Sequence, residues 1–206
     1  MSMHWQSLVA LGDRLTFGIG DPVQGIAKVS WAEQVADVFQ ALNPNFRYIN
    51  LAQPGLRTNE VKANQLPIAL SLNPDLISVQ VGSNDAVERS WNSQNYYEAL
   101  SSVVRPLRET QATILLLTCH NSAGLPRKLG RLAERFKEMV GVMRAVSHEQ
   151  NAIFVDLSSS PAGTDSAHWS GDRWHPNARG YQEASKVVLT ALPYPTSYPN
   201  NCMQGL

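Results

Sequence analysis

The chain has no surplus of either charge: Lys plus Arg and Asp plus Glu number 17 each in 206 residues. Composition therefore gives no support for a basic face that would hold nucleic acid or an anionic membrane surface. Long apolar runs are also missing. None approaches the roughly 20 residues that span a bilayer. The N-terminus has no basic segment followed by an apolar core and a cleavage site, so a cytoplasmic location is expected. Only two cysteines occur, Cys119 and Cys202, and their spacing fits neither a disulfide framework nor a metal site. The five histidines are His4, His120, His148, His168 and His175. No pair has the helical spacing of a zinc-protease motif, so no metal or other cofactor is expected.

What is present reads as one folded domain over residues 1–192, followed by a tail at 193–206. The tail is rich in Pro, Tyr and Asn and has no helical period, which predicts an extended strap or a disordered end. Apolar runs at Ser7–Leu11, Arg47–Leu51, Leu76–Val81, Thr113–Thr118 and Ile153–Leu157 are short and apolar almost throughout. Strands covered on both faces read this way. Helical patterns lie between them. One runs from a Ser30 cap to Leu42, and one from a Thr58 cap to Leu72 with Pro67 as a kink. Two longer ones cover Gln94–Thr110 and Leu129–Glu149, and the last runs from Pro176 to about Leu192. Alternating strands and helices predict a three-layer α/β/α sandwich around a five-stranded parallel sheet.

Ligands of open α/β sheets bind beyond the carboxyl ends of the strands. Three motifs fall at such ends: Gly12-Asp13-Arg14-Leu15 after the first strand, Gly55 after the second, and Gly82-Ser83-Asn84-Asp85 after the third. A fourth, Asp172-Arg173-Trp174-His175, precedes the last helix. Each alone is weak, because Gly-Asp and Gly-x-Asn-Asp also turn a chain and Asp-x-x-His is also a local hydrogen-bonding pair. Together, in this order, they resemble the SGNH (GDSL) hydrolase family over about residues 5–192. The resemblance implies a flavodoxin-like SGNH hydrolase fold. It also implies an Asp172–His175 acid/base pair, and an oxyanion hole from the N–H groups of Gly55, the Asn84 side chain and residue 14. Asp13 and Asp85 read as carboxylates that organise loops.

The departure from the family is at residue 14, where Arg stands in place of the nucleophilic serine. A guanidinium has no acceptor, stays protonated and cannot form an acyl-enzyme. Removing a triad member from a serine hydrolase leaves only a residual ~10³–10⁴-fold effect over water. Two readings follow. In one, the protein is an atypical enzyme: Arg14 holds an anionic or carbonyl group of a small-molecule ester or acyl substrate, and His175 moves a proton without a covalent intermediate. In the other, Arg14 pairs with Asp172 or another carboxylate and plugs the pocket, leaving a binding protein. A relocated nucleophile at Ser83 or Thr16 would instead restore an ordinary esterase. Trp91, Trp169 and Trp174 are candidate pocket walls, with Trp174 beside the site. The loops at 18–29, 86–92, 120–128 and 158–171 shape any pocket. The run Arg127-Lys128-Leu129-Gly130-Arg131 reads as the solvated start of a helix rather than a nucleic-acid patch. No nucleic-acid or membrane partner is expected, and the neutral surface permits a homo-oligomer.

Overall fold

The computed structural model of the protein describes residues 5–26, 30–120 and 130–193. The expectations for the tail from residue 194, for Ala27–Val29, and for the loop after His120 with the Arg127-Lys128 run lie outside these residues. The five expected strands form: β1 (Ser7–Gly12), β2 (Arg47–Asn50), β3 (Leu76–Gln80), β4 (Thr113–Leu117) and β5 (Ile153–Val155). They make one sheet in the order β2-β1-β3-β4-β5, with every neighbour pair parallel. Side chains alternate between two cores, as the strand pleat requires. Val9, Leu11, Ile77, Val79, Ile114 and Leu116 enter one, while Leu8, Ala10, Leu76, Leu115 and Leu117 enter the other.

Helices α2 (Trp31–Leu42) and α9 (Ala178–Ala191) cover the second core. Trp31, Phe39 and Tyr181 are its largest fully buried side chains, each contributing roughly 1.5–3 kcal/mol of burial. Helices α3 (Thr58–Asn64), α4 (Leu66–Leu72), α6 (Ser93–Arg108) and α7 (Gly130–Glu149) cover the first. The remaining helices are short: α1 (Arg14–Phe17), α5 (Ser83–Val87) and α8 (Pro161–Thr164).

Several local expectations are revised. The helix expected over Thr58–Leu72 is two helices, and the break falls at Gln65, two residues before Pro67, which sits in the first turn of α4. Gln65 uses the break: its side chain accepts from the Gly12 N–H and donates to the Gly12 carbonyl, both at 2.9 Å. Thr58 is not the cap of α3, because Arg57 holds that position and the Thr58 hydroxyl donates to Asp85. Ser30 does occupy the cap position of α2, yet its hydroxyl donates to the Thr16 carbonyl instead. Helix α9 begins at Ala178, with Asn177 as the cap that accepts from the Gly180 N–H. The Gly82-Ser83-Asn84-Asp85 segment is the start of α5 rather than a simple turn.

A polar spine crosses the buried middle of the sheet. Gln80 accepts from the Thr16 hydroxyl (3.0 Å) and the Trp31 indole (2.9 Å) and donates to the Thr118 carbonyl (3.0 Å). It ties the ends of β1, β3 and β4 together just below the candidate site, and every polar atom in it is paired, as burial demands.

Gly82 is a position beside the site where backbone freedom is needed. Its φ is +122°, and a Cβ there would lie 2.4 Å from the Tyr96 hydroxyl and 2.9 Å from the Met139 sulfur. Gly82→Ala is expected to lower unfolding stability by about 2 kcal/mol or more. Urea unfolding followed by circular dichroism checks this; an unchanged midpoint would show that α5 does not need this entry geometry.

Candidate active site

Strand β1 has β2 on one side and β3 on the other, so the order reverses beside it and its carboxyl end opens into a crevice. Gly12 is in register with Gln80, which brings Asp13-Arg14 level with Gly82-Ser83-Asn84. Asp13 caps α1 by accepting from the Leu15 N–H at 3.0 Å. It also takes the Ser83 hydroxyl at 2.7 Å and the Asn84 amide at 3.3 Å. Burial pushes its carboxyl above the ordinary range, against the pull of Arg14 and these hydrogen bonds. Asp85 does the same on the neighbouring loop, accepting the Thr58 N–H at 3.1 Å and the Thr58 hydroxyl at 3.0 Å.

Arg14 is largely buried, with its side chain 12% exposed. Its guanidinium donates to the Asn84 side-chain carbonyl and lies 4.0 Å from the Asp13 carboxylate. The Trp174 ring covers it, 5.4 Å from guanidinium carbon to ring centroid, within cation–π range. The Nε of Arg14 is buried without a hydrogen-bond partner. Among the described residues Arg14 makes no ion pair with Asp172; the carboxylate it pairs with, at 4.0 Å, is Asp13. Its shorter contact is with the neutral Asn84 amide.

Asp172 and His175 do meet. The His175 Nδ1 lies 2.6 Å from Asp172 Oδ2. The other carboxylate oxygen accepts the backbone N–H groups of Trp174 (2.8 Å) and His175 (3.0 Å). Partial burial works to raise the Asp172 carboxyl, but these hydrogen bonds and the His175 ring outweigh it and pull it down to about 2. The imidazole's other nitrogen, Nε2, is buried and unpartnered. With Nδ1–H given to the carboxylate, Nε2 is the basic nitrogen of the ring. Arg173, between them, takes a positive φ of +53°, a conformation a non-glycine residue keeps only where its surroundings enforce it.

The loop is enforced from a distance. Ser170 accepts the Arg173 N–H and donates its own N–H to the His175 carbonyl. Asp21 accepts the Gly171 N–H through its side chain and the Ala178 N–H through its carbonyl, and its own N–H goes to the Ser170 hydroxyl. Asn177 donates to the Ala167 and Trp169 carbonyls. Asp21, Ser170 and Asn177 were not foreseen. Only Asn177 carried a local signal, as a cap residue directly after Pro176.

The remaining expected donors are placed unevenly. Gly55 is exposed, with φ at +87° and open space where a Cβ would stand. The Arg14 backbone N–H opens α1 and has no acceptor within the helix. The Asn84 amide, by contrast, is directed at the Leu56 carbonyl (2.8 Å) and Asp13 (3.3 Å). Neither substitute nucleophile is free: Thr16 is fully buried on Gln80 and Ser83 is bonded to Asp13.

A small cavity of about 20 Å³ borders Arg14, Arg173, Trp169 and Trp174, room for about one water. Across Cys119, His120 and Phe136 it adjoins a wider one of about 510 Å³ that reaches Val140 and Thr164. Trp91 lies elsewhere, on a separate cleft. Burial pushes the Cys119 thiol up to about 12 and holds His120 down to about 3, so both are neutral at pH 7. Among the described residues no group of His, Cys, Asp and Glu could hold a metal, and no helix is long and apolar enough to cross a membrane.

Residues 10–183 match the GDSL-like lipase/acylhydrolase family. Among solved structures, the acetylxylan esterase Axe2 from Geobacillus stearothermophilus superposes with a TM-score of 0.75 at 19% identity, covering 92% of this chain and 95% of its own. LAE5, an alpha/beta hydrolase enzyme from the metagenome of Lake Arreo, Spain, gives 0.75 at 20% identity, covering 96% of each chain. TesA gives 0.75 at 20%, covering 91% of this chain and 98% of its own. Solved catalytic mutants of Axe2 replace a serine, an aspartate and a histidine, the aspartate three residues before the histidine. No curated protein matches the chain.

The depressed Asp172 carboxyl has a sign that can be tested. A group whose folded pKa lies below its unfolded value stabilises the fold above the unfolded pKa and loses that contribution as pH falls. The stability difference between the natural protein and Asp172→Asn is therefore expected to be constant above about pH 5 and to shrink as pH falls towards about 2. Urea unfolding across that range measures it; a difference that grows as pH falls would contradict the hydrogen-bonding account.

Proposed function

From the chain's membership of the GDSL-like lipase/acylhydrolase family, we propose that it is an atypical hydrolase of a small-molecule ester or other acyl compound, working without an acyl-enzyme. The observation that carries this reading is a pair of buried, unpartnered atoms, the His175 Nε2 and the Arg14 Nε–H. One is an acceptor and the other a donor. A third molecule that enters between these residues can satisfy both, where a finished structural plug would have paired its own atoms.

In this reading a water gives its proton to His175 Nε2 while its oxygen attacks the substrate carbonyl carbon. The imidazolium is stabilised by Asp172 through Nδ1–H. Negative charge develops on the carbonyl oxygen, met by the Arg14 guanidinium and by the backbone N–H groups of Arg14 and Gly55. The intermediate collapses, the ester C–O bond breaks, and His175 returns the proton to the departing alkoxide. The products are a carboxylic acid and an alcohol. Arg14 is free to take this role because its present partner is a neutral amide and the nearest carboxylate is 4.0 Å away. An anionic or strongly polarised oxygen competes well for it. Substrate entry requires the Arg14–Asn84 bond and the Trp174 cover to open. The acyl part then has the 510 Å³ cavity beyond Cys119 and Phe136. The esterase activities named for Axe2 are consistent with this class of reaction.

One observation favours a second reading, a binding homologue without turnover: the space beside Arg14 is only about 20 Å³ and Trp174 closes it. Hydrolysis of p-nitrophenyl butyrate by the natural protein, His175→Ala and Arg14→Ser separates the two. The expected result is slow hydrolysis without a pre-steady-state burst, reduced roughly 10²–10⁴-fold in His175→Ala, and a burst appearing in Arg14→Ser. No turnover by the natural protein beside an active Arg14→Ser would hand the case to the binding homologue. Activity untouched by His175→Ala would remove the acid/base pair from the mechanism.

A further inference from the structure

A second cleft, of about 310 Å³, opens beside the site and belongs to none of the chemistry above. It starts one residue beyond two site positions. Leu56, whose carbonyl accepts the Asn84 amide, is followed by Arg57, and Asn84 itself by Asp85. Both Arg57 and Asp85 line the cleft. Gly55 stands two residues before Arg57, so the cleft continues from the Gly55 side of the site.

The lining has a definite chemistry. One wall is aromatic: Trp91 packs at 5.4 Å between centroids against Tyr96, and its indole N–H is anchored on Glu138 at 2.7 Å. The other wall is a set of oriented polar groups. Arg57 pairs with Glu88 at 3.3 Å and with Glu60 at 3.7 Å, and Glu60 also accepts the Arg57 backbone N–H at 2.8 Å. Asp85 is fixed by Thr58. Between the walls stand the exposed Asn59, Ser90 and Asn95.

These groups exclude more than they admit. Three carboxylates against one guanidinium repel an anion. A wall of carboxylates and amides leaves a fatty chain no continuous apolar surface, since its polar groups would lose water without gaining partners. What fits is a neutral ligand with many hydroxyls and one apolar face. Hydroxyls give their protons to fixed carboxylates and exchange hydrogen bonds with amides and the guanidinium, while the C–H face of a sugar ring lies against an indole. The cationic side of the site, Arg14 and Arg173, then takes the acyl end, and the acidic side takes the alcohol end.

We propose that this cleft is the subsite for the alcohol portion of the substrate, and that this portion is a carbohydrate. The proposal rests on the hydrolase reading for its orientation but is tested by binding alone. Saturation-transfer NMR with the neutral trisaccharides maltotriose, cellotriose and xylotriose is expected to show at least one bound by the natural protein. Its affinity should fall about tenfold in Trp91→Ala, the order expected from losing an aromatic contact. Trp91 also packs against the core, so Asn95→Ala, on the exposed face of α6, provides a second variant expected to weaken the same signal with the fold intact. No transfer to any trisaccharide, transfer unchanged in both variants, or binding of choline in their place would overturn the proposal. Sugar binding that depends on these residues, in a protein inactive on every ester, would keep the subsite and discard the hydrolase reading.

Discussion

The Asp13 carboxylate is the constraint on which the site depends. It is fully buried at the end of β1, where an unpaired charge is costly. It is kept there by the Leu15 N–H, the Ser83 hydroxyl and the Asn84 amide. Those three groups come from two different strand ends, so the carboxylate sets the distance between residue 14 and residue 84. It also supplies the negative charge nearest to Arg14. A largely buried guanidinium would otherwise have only the neutral Asn84 carbonyl as a partner in a low-dielectric crevice.

That arrangement accommodates an arginine at residue 14 with the surrounding hydrogen bonds intact. Arg14 keeps the backbone N–H that opens α1, and its side chain takes the Asn84 carbonyl, leaving the Asn84 amide on Leu56 and Asp13. Nothing in this set involves the loop that carries Asp172 and His175. That loop is braced separately by Asp21, Ser170 and Asn177. The Asp172–His175 pair and Arg14 are therefore held by separate sets of hydrogen bonds, with Trp174 as a contact between that loop and the guanidinium.

The sheet was legible in the sequence for a physical reason. Strands covered on both faces are mostly apolar, so Leu8–Leu11 reads as an unbroken apolar run and Leu76–Val79 as one interrupted only by Ser78. The Asp172–His175 pair was legible because its partners are three residues apart. The break at Gln65 was not, because its cause is a pair of hydrogen bonds to Gly12, 53 residues away. The same holds for Thr58 with Asp85 and for Asp21 with Ser170. Hydrogen bonds between distant loops leave no period in a sequence, and they decide where a cap falls and where an amide points. The Asn84 amide, expected to face a substrate oxygen, is turned onto Leu56 and Asp13 for this reason.

The energetics of the unpaired atoms bear on what the arginine is for. A buried donor or acceptor without a partner costs about 1–3 kcal/mol, and Arg14 Nε and His175 Nε2 are two such atoms. A side chain whose purpose was to seal the pocket would recover that energy by turning towards Asp172, a carboxylate that is half exposed and a stronger partner for a guanidinium than an amide oxygen. Arg14 instead rests on the Asn84 carbonyl and a long contact with Asp13, and its Nε–H has no partner. On the proposed hydrolase reading, a substrate that satisfied both atoms would offset that cost on binding. The cation–π cover of Trp174, of order 0.5–2 kcal/mol, is small enough for such a ligand to displace.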